Sequence, residues 1–218
     1  MISNRKNDMA VEREIAAFLD KNLYENKELF TEYARTDTIE EQISGSDLLL
    51  STTNGGLKRS VVDEKVASRF ANRILDTFSL ELSFLGKNGL KKCGWLIDAT
   101  KKTEYYLFGW ILEADIPYIE EKKRYDTNMI DRNNIKRLQW ALVKRDKIMK
   151  FLEERGWTLE KLAKQDEQIR KQGYIKTKDF IDDVSFRYSD AYIEKPINLL
   201  LKKETYLKLS ELNGIINV

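Results

Sequence analysis

Residues 42–66 read Gln42-Ile-Ser-Gly-Ser-Asp47-Leu-Leu-Leu-Ser51, a turn through Asn54-Gly55-Gly56, and then Ser60-Val-Val-Asp63-Glu64-Lys65-Val66. Two apolar, branched runs joined by a glycine-rich turn predict a β-hairpin, and in a strand residues two apart share a face. Asp63 and Lys65 then project together, with Glu64 on the opposite side. Asp47 opens the partner strand, so closing the hairpin brings a second carboxylate beside the first. Two carboxylates and an ammonium at one end of a sheet can hold a hard divalent cation through oxygen and set a positive charge beside a water or a phosphate.

The tripeptide alone carries little, because acid-x-Lys also occurs at Glu25-x-Lys27, Glu120-x-Lys122 and Glu121-x-Lys123. None of these lies in an apolar, branched run or has a strand-borne acid upstream across a turn. With its context, the pattern of an acid, a short hairpin and Asp63-Glu64-Lys65 resembles the PD-(D/E)xK superfamily of metal-dependent nucleases. The resemblance covers roughly residues 10–112. Gly45 leads into the first acid as in several branches, the usual proline is absent, and no subfamily is singled out. It implies a restriction-endonuclease-like fold and a site in which Asp47 and Asp63 bind Mg²⁺ or Mn²⁺. Lys65 would stabilise developing charge or orient the attacking water, giving an endonuclease acting on DNA. An acid or amide from the helix before the first strand often completes the metal shell in that superfamily, which makes Glu41 and Gln42 candidates by resemblance.

The chain has no histidine. That removes Ser-His-Asp and Cys-His nucleophilic catalysis, histidine-ligated zinc and any histidine general base. Cys93 stands alone, so no intrachain disulfide or cysteine-cluster metal site exists, and its place before Gly94-Trp95 suits a small packing residue.

A net charge of +2 does not by itself call for nucleic acid, but the charges are unevenly spread. Residues 9–41 carry nine acids and four bases, whereas residues 57–102 carry ten bases and five acids. Phosphates approaching an acidic metal site need neutralising cations beside it. The basic segment Lys87, Lys91, Lys92, Lys101 and Lys102 is the expected DNA contact, with Lys144, Arg145 and Lys147 next in line.

Along the rest of the chain, residues 9–33 predict one or two amphipathic helices with Ile15, Phe18, Leu19, Leu29 and Phe30 inward. Residues 66–75 predict a helical turn or two. Residues 77–85 predict a strand with Phe78, Leu80, Leu82 and Phe84 on one face. On the other face Glu81 is the sole charge, a third candidate metal ligand. Residues 94–98 and 103–112 predict a hairpin turning at Lys101-Lys102, its second strand apolar enough to lie centrally in the sheet. Residues 135–156 and 193–214 echo one another as strand, paired cations, acidic helix start, helix and glycine stop. Between them residues 158–172 predict a charged helix with Leu159 and Leu162 inward.

The expected architecture is α/β, a mixed central sheet with helices on both faces. Residues 1–125 form the nuclease-like core, and residues 126–218 a strand-helix extension packed on the same domain. No apolar leader and no run near the ~20 residues of a membrane span is present, so the reading expects a soluble cytoplasmic protein without a membrane partner. Double-strand cutting would suit a homodimer. Two competitors stand against catalysis: a non-catalytic nucleic-acid-binding or protein-interaction module of the same fold, and an antitoxin-like protein whose hairpin acids are only surface.

Overall fold

The computed structural model of the chain describes residues 5–36, 38–175 and 179–218. Its helices are α1 (Arg5–Leu19), α2 (Ile39–Ile43), α3 (Arg145–Glu154), α4 (Leu159–Gln172) and α5 (Lys203–Leu209). Its strands are β1 (Phe30–Arg35), β2 (Leu48–Thr52), β3 (Ser60–Val66), β4 (Thr77–Leu85), β5 (Lys91–Cys93), β6 (Tyr105–Ala114), β7 (Tyr118–Ile119), β8 (Arg124–Tyr125), β9 (Ile135–Lys144), β10 (Ser185–Tyr188), β11 (Ile197–Lys202) and β12 (Leu212–Asn217). These elements group into two compact units that interleave in sequence. The first takes the chain up to Leu75, Thr103–Val143 and Ser210–Val218, and the second Asp76–Lys102 and Lys144–Leu209. The division expected between residues 125 and 126 falls inside the first unit, because β9 and β12 both return to its sheet.

The first unit holds a six-stranded mixed sheet in the order β1-β2-β3-β6-β9-β12. β2 and β3 pair antiparallel with Leu48 opposite Val62, as the hairpin reading requires, and β3 runs parallel to β6 with Asp63 opposite Tyr106. The turn between β2 and β3 is built by side chains: Asn54 Oδ1 accepts from the Thr52 hydroxyl and from Gly56 N–H, and Gly55 takes the left-handed conformation at φ 73°. Strand β6 lies inside the sheet, as its unbroken apolar run suggests, and Leu107, Phe108, Trp110 and Ile111 are buried. Phe18 and Leu19 of α1 join Leu48, Leu50, Val62, Leu107, Leu138 and Trp140 in one core. Fully burying side chains of this size stabilises the fold by about 1.5–3 kcal/mol each.

The N-terminal segment departs from its helical expectation after Tyr24. Helix α1 continues as a π-helical turn, Asp20–Tyr24, and Phe30–Arg35 is the edge strand β1, paired antiparallel with β2. The apolar spacing of Phe30, Tyr33 and Ala34 fits either period, and pairing with β2 decides it. Residues 66–75 give only the 3₁₀ turn Ser68–Phe70. Gly214 does not stop a helix: it lies within β12, opposite Trp140, and a Cβ there would stand 3.3 Å from the indole nitrogen.

The second unit is built on a four-stranded sheet in the order β10-β11-β4-β5. The expected hairpin of residues 94–112 does not form. Residues 94–98 are a turn, while β6 belongs to the other sheet. The cause is visible in the hydrogen bonds. The Ile97 and Asp98 N–H groups close a turn on the Gly94 carbonyl, and Arg145 donates to the carbonyls of Leu96, Asp98 and Lys101 around it. A Cβ at Gly94 would lie 2.2 Å from the Glu81 carbonyl oxygen, so only glycine allows the chain to pass β4 there. Helix α4 is capped by Thr158 and ended by Gly173 at φ 73°. It buries Leu162, Asp166 and Ile169, while Leu159 is exposed, opposite to expectation. No helix among the described residues is long and apolar enough to cross a membrane.

Candidate active site

Strand β3 carries the candidate pair Asp63 and Lys65 on one side and Glu64 on the other. Asp63 is buried, and the Lys65 ammonium donates to its Oδ1 from two residues along the strand. Asp47 precedes β2 and keeps the ladder in register, its N–H donating to the Val62 carbonyl at 2.9 Å. The Asp47 Oδ2 accepts the Glu64 backbone N–H at 2.7 Å, which ties this carboxylate to the chain between Asp63 and Lys65. The three residues read from the sequence therefore meet at one end of the hairpin.

The electrostatics of this cluster are unbalanced. Burial, and then the negative charge of Asp63, push the Asp47 carboxyl up to about 7, against the pull of Lys65 and of the Glu64 N–H. Loss of hydration works to lower the Lys65 pKa, but the charges of Asp63 and Asp47 and the hydrogen bond to Asp63 outweigh it and raise the ammonium's affinity for its proton. One ammonium thus serves two carboxylates.

A further acid belongs to this field and was not singled out from the sequence. The Glu12 carboxyl on α1 is raised, first by lost hydration and then by Asp8 and Asp63, while Lys65 and Arg69 oppose the rise. Glu12 is exposed by surface area, and its spacing of three residues before Ile15 and seven before Leu19 puts it beside the inward stripe of α1.

Glu64, on the opposite side of β3, is held by a different set of partners. Tyr24 donates its hydroxyl to Glu64 Oε1 at 2.8 Å, and Arg35 donates to Oε2 at 2.5 Å and Oε1 at 3.1 Å. Arg35 also reaches Asp20 Oδ1 at 2.9 Å and the Ala16 carbonyl at 3.0 Å. The Coulombic pull of Glu64, with the hydrogen bonds to it and to Asp20, raises the Arg35 pKa against the cost of burial, and burial raises the Tyr24 hydroxyl.

The Glu41 carboxylate is exposed and accepts from the Thr38 hydroxyl at 2.9 Å at the start of α2, a local cap. The side chain of Gln42 lies outside the described residues. Glu81 sits on β4, so no strand pairing places it beside Asp63. Lys87, Lys91, Lys92, Lys101 and Lys102 all belong to the second unit. There Lys91 is drawn to the buried Asp166, its ammonium 2.7 Å from Oδ2, and Lys87, Lys92 and Lys102 are exposed.

The two carboxylates offer an all-oxygen donor set of the kind Mg²⁺ takes, since that ion accepts one or two carboxylates and keeps several waters, with the Lys65 ammonium beside it. Among the described residues, no three acidic or cysteine side chains stand together in metal-holding geometry. Fold and site together define a mixed α/β protein carrying a partly buried aspartate pair with a shared lysine. No family model, no curated protein and no solved structure matches the chain at a significant level.

Proposed function

We propose that the chain is a Mg²⁺- or Mn²⁺-dependent nuclease hydrolysing DNA phosphodiester bonds, of the restriction-endonuclease-like kind that its acid, hairpin and Asp-x-Lys pattern resembles. The observation that carries this reading is the convergence of Asp47, Asp63 and Lys65 with the Asp47 carboxyl pushed up to about 7. Two carboxylates crowded around one ammonium carry an excess of negative charge that a divalent cation would relieve.

Asp47 and Asp63 would hold the cation, which supplies polarisation of the phosphate and acidification of a water. The Glu64 N–H keeps the Asp47 carboxylate aimed. Lys65 neutralises Asp63 in the free protein and faces the charge that develops on the phosphate oxygens once substrate is seated. Glu12 adds a further carboxylate to the same field.

Plasmid, linear and single-stranded DNA incubated with Mg²⁺ or Mn²⁺ should be cut, and a chelator should stop the cutting. Asp63→Ala and Lys65→Ala should each slow cleavage by about a thousandfold, equivalent to ~4 kcal/mol of barrier. Failure of the wild type to cut any of the three substrates, or variants that cut as well as wild type, would remove the catalytic reading.

A second reading is favoured by the engagement of Asp63 by Lys65 together with the lack of an acidic trio among the described residues. It makes the protein a non-catalytic nucleic-acid-binding or protein-interaction module. Binding would then be indifferent to metal and no strand would be cut.

A further inference from the structure

Among the described residues, the two larger sheets end in four edge strands, and three of these carry charge. β1 has Glu32 and Arg35 together with a register shift between Phe30 and Glu32, β5 has Lys91 and Lys92, and β10 has Arg187. Charges and bulges on an edge deter pairing with another chain, because a flat ladder would have to form over them. The fourth edge, β12, reads Leu212-Asn-Gly-Ile-Ile-Asn217 and runs on to Val218 with neither charge nor proline. Ile215 keeps 47% of its surface in solvent and Val218 68%. An open, uncharged edge of this kind invites a further strand.

Pairing with β9 fixes which backbone groups of β12 look outward. The two strands are antiparallel with Ile216 opposite Leu138 and Asn217 opposite Arg137, and Val218 N–H donates to the Lys136 carbonyl at 3.0 Å. In an antiparallel ladder a residue turns both its N–H and its C=O to one neighbour, and the next residue turns both away. Gly214, Ile216 and Val218 therefore face β9, while Asn213, Ile215 and Asn217 present their N–H and C=O groups outward. The sequence is also symmetric in type about Ile215. Asn213 and Asn217 flank it at equal distance, Gly214 and Ile216 adjoin it, and the apolar Leu212 and Val218 close the two ends.

We propose that the partner of this edge is a second copy of the chain, two β12 strands pairing antiparallel about a two-fold axis at Ile215 and joining the two six-stranded sheets into one. In that register each outward N–H meets an outward C=O, two hydrogen bonds for every facing pair. Ile215 meets the partner's Ile215 on the exposed face, and Asn213 meets the partner's Asn217 there, each amide carrying donor and acceptor. On the opposite face Gly214 meets the partner's Ile216, small against large, and Leu212 covers the partner's Val218. No charge in Leu212–Val218 opposes its own image across the axis, the penalty that like charges directly opposite impose on a strand pairing with itself. The contact is isologous, so it closes at two chains and does not propagate. One pair of strands is a small interface, and the dimer comes apart on dilution. The proposal does not depend on the nuclease reading.

Sedimentation velocity over a concentration series tests this on the full chain. Wild type should pass from monomer to dimer across the micromolar range. Ile215→Lys and Ile215→Glu place like charges face to face at the axis while leaving the core intact. Each should stay monomeric over that range with an unchanged circular dichroism spectrum, and an equimolar mixture of the two should dimerise again. Asn217→Pro removes an outward N–H and no bond to β9, so it should weaken the dimer roughly tenfold or more, two donors being lost per dimer. Thr31→Lys, exposed on the edge strand β1, should dimerise as wild type does. A wild type monomeric up to millimolar concentration, Ile215→Lys or Asn217→Pro variants as dimeric as wild type, a Lys and Glu mixture that stays monomeric, or loss of the dimer in Thr31→Lys would each overturn the proposal.

Discussion

Asp63 and Glu64 are neighbours on β3, yet their surroundings differ in kind. Around Glu64, Tyr24 and Arg35 supply three donors to one carboxylate, and Arg35 completes its own set on Asp20 and Ala16. Around Asp63, a single ammonium faces two carboxylates, and the second of these, Asp47, is left with a proton affinity near neutrality. The first arrangement is saturated and ties α1 and the turn after it to strands β1 and β3. The second keeps unspent acceptor capacity at a strand end, which suits a group that must exchange a proton or take a cation. One strand thus carries a fully partnered acid on one side and an acid that shares its cation on the other, and the difference is made by what packs over each.

The comparison breaks most plainly at Arg35. Arg35→Ala leaves Glu64, whose side chain is only 10% exposed, without its cation. Removing one partner of such a pair should cost about 3 kcal/mol or more, read as a lower urea midpoint by circular dichroism. A loss below about 1 kcal/mol, the scale of an exposed pair, would mean that this side is not the saturated one.

The unbalanced side should show itself through pH. The folded value of Asp47 lies near 7 against an ordinary 3.8, so between those limits the folded protein binds more protons than the unfolded chain. Stability contributed at this position therefore falls as pH rises through that window. Asp47→Asn keeps an acceptor for the Glu64 N–H and removes the charge. It should be more stable than wild type by about 2 kcal/mol at pH 8, since each tenfold change in proton affinity corresponds to ~1.4 kcal/mol before screening by water, and should converge on wild type near pH 4. Parallel denaturation curves at the two pH values measure this, and an equal difference at both would place Asp47 outside any strained pair.

The smallest effect sharpens the saturated side. Tyr24→Phe removes one of three donors to Glu64 while the ring stays packed against Phe30 and Tyr33. The expected loss is about 1.5 kcal/mol, the lower end for a hydrogen bond to a charged group, because Arg35 still covers the same oxygen. Chemical denaturation of this variant beside Arg35→Ala would rank the two donors.

The hairpin, its turn and the meeting of Asp47, Asp63 and Lys65 were legible because they depend on a two-residue period and a glycine, both local. The interior place of β6 was legible from composition. What failed was pairing chosen at a distance. Residues 94–98 carry a strand's composition, but Arg145, far along the chain, takes their carbonyls. Phe30 to Arg35 fits a helix as well as a strand until β2 lies beside it. Glu12 was hidden for a related reason. Acids crowd the start of α1, and only the folded chain brings one of them under the charge of Lys65 and Asp63.

The interleaving of the two units bears on synthesis and folding order. Strand β3 waits for β6 while residues 76–102 pass, and β9 waits for its neighbour β12 while residues 144–209 pass. At about 5–20 residues per second the ribosome needs several seconds for the longer of these excursions. During that interval β9, a long apolar strand, stands at an open sheet edge, a template for pairing with other chains. Until β12 arrives the nascent chain leaves that edge of β9 without its partner, and nonlocal pairings of this length favour slow folding.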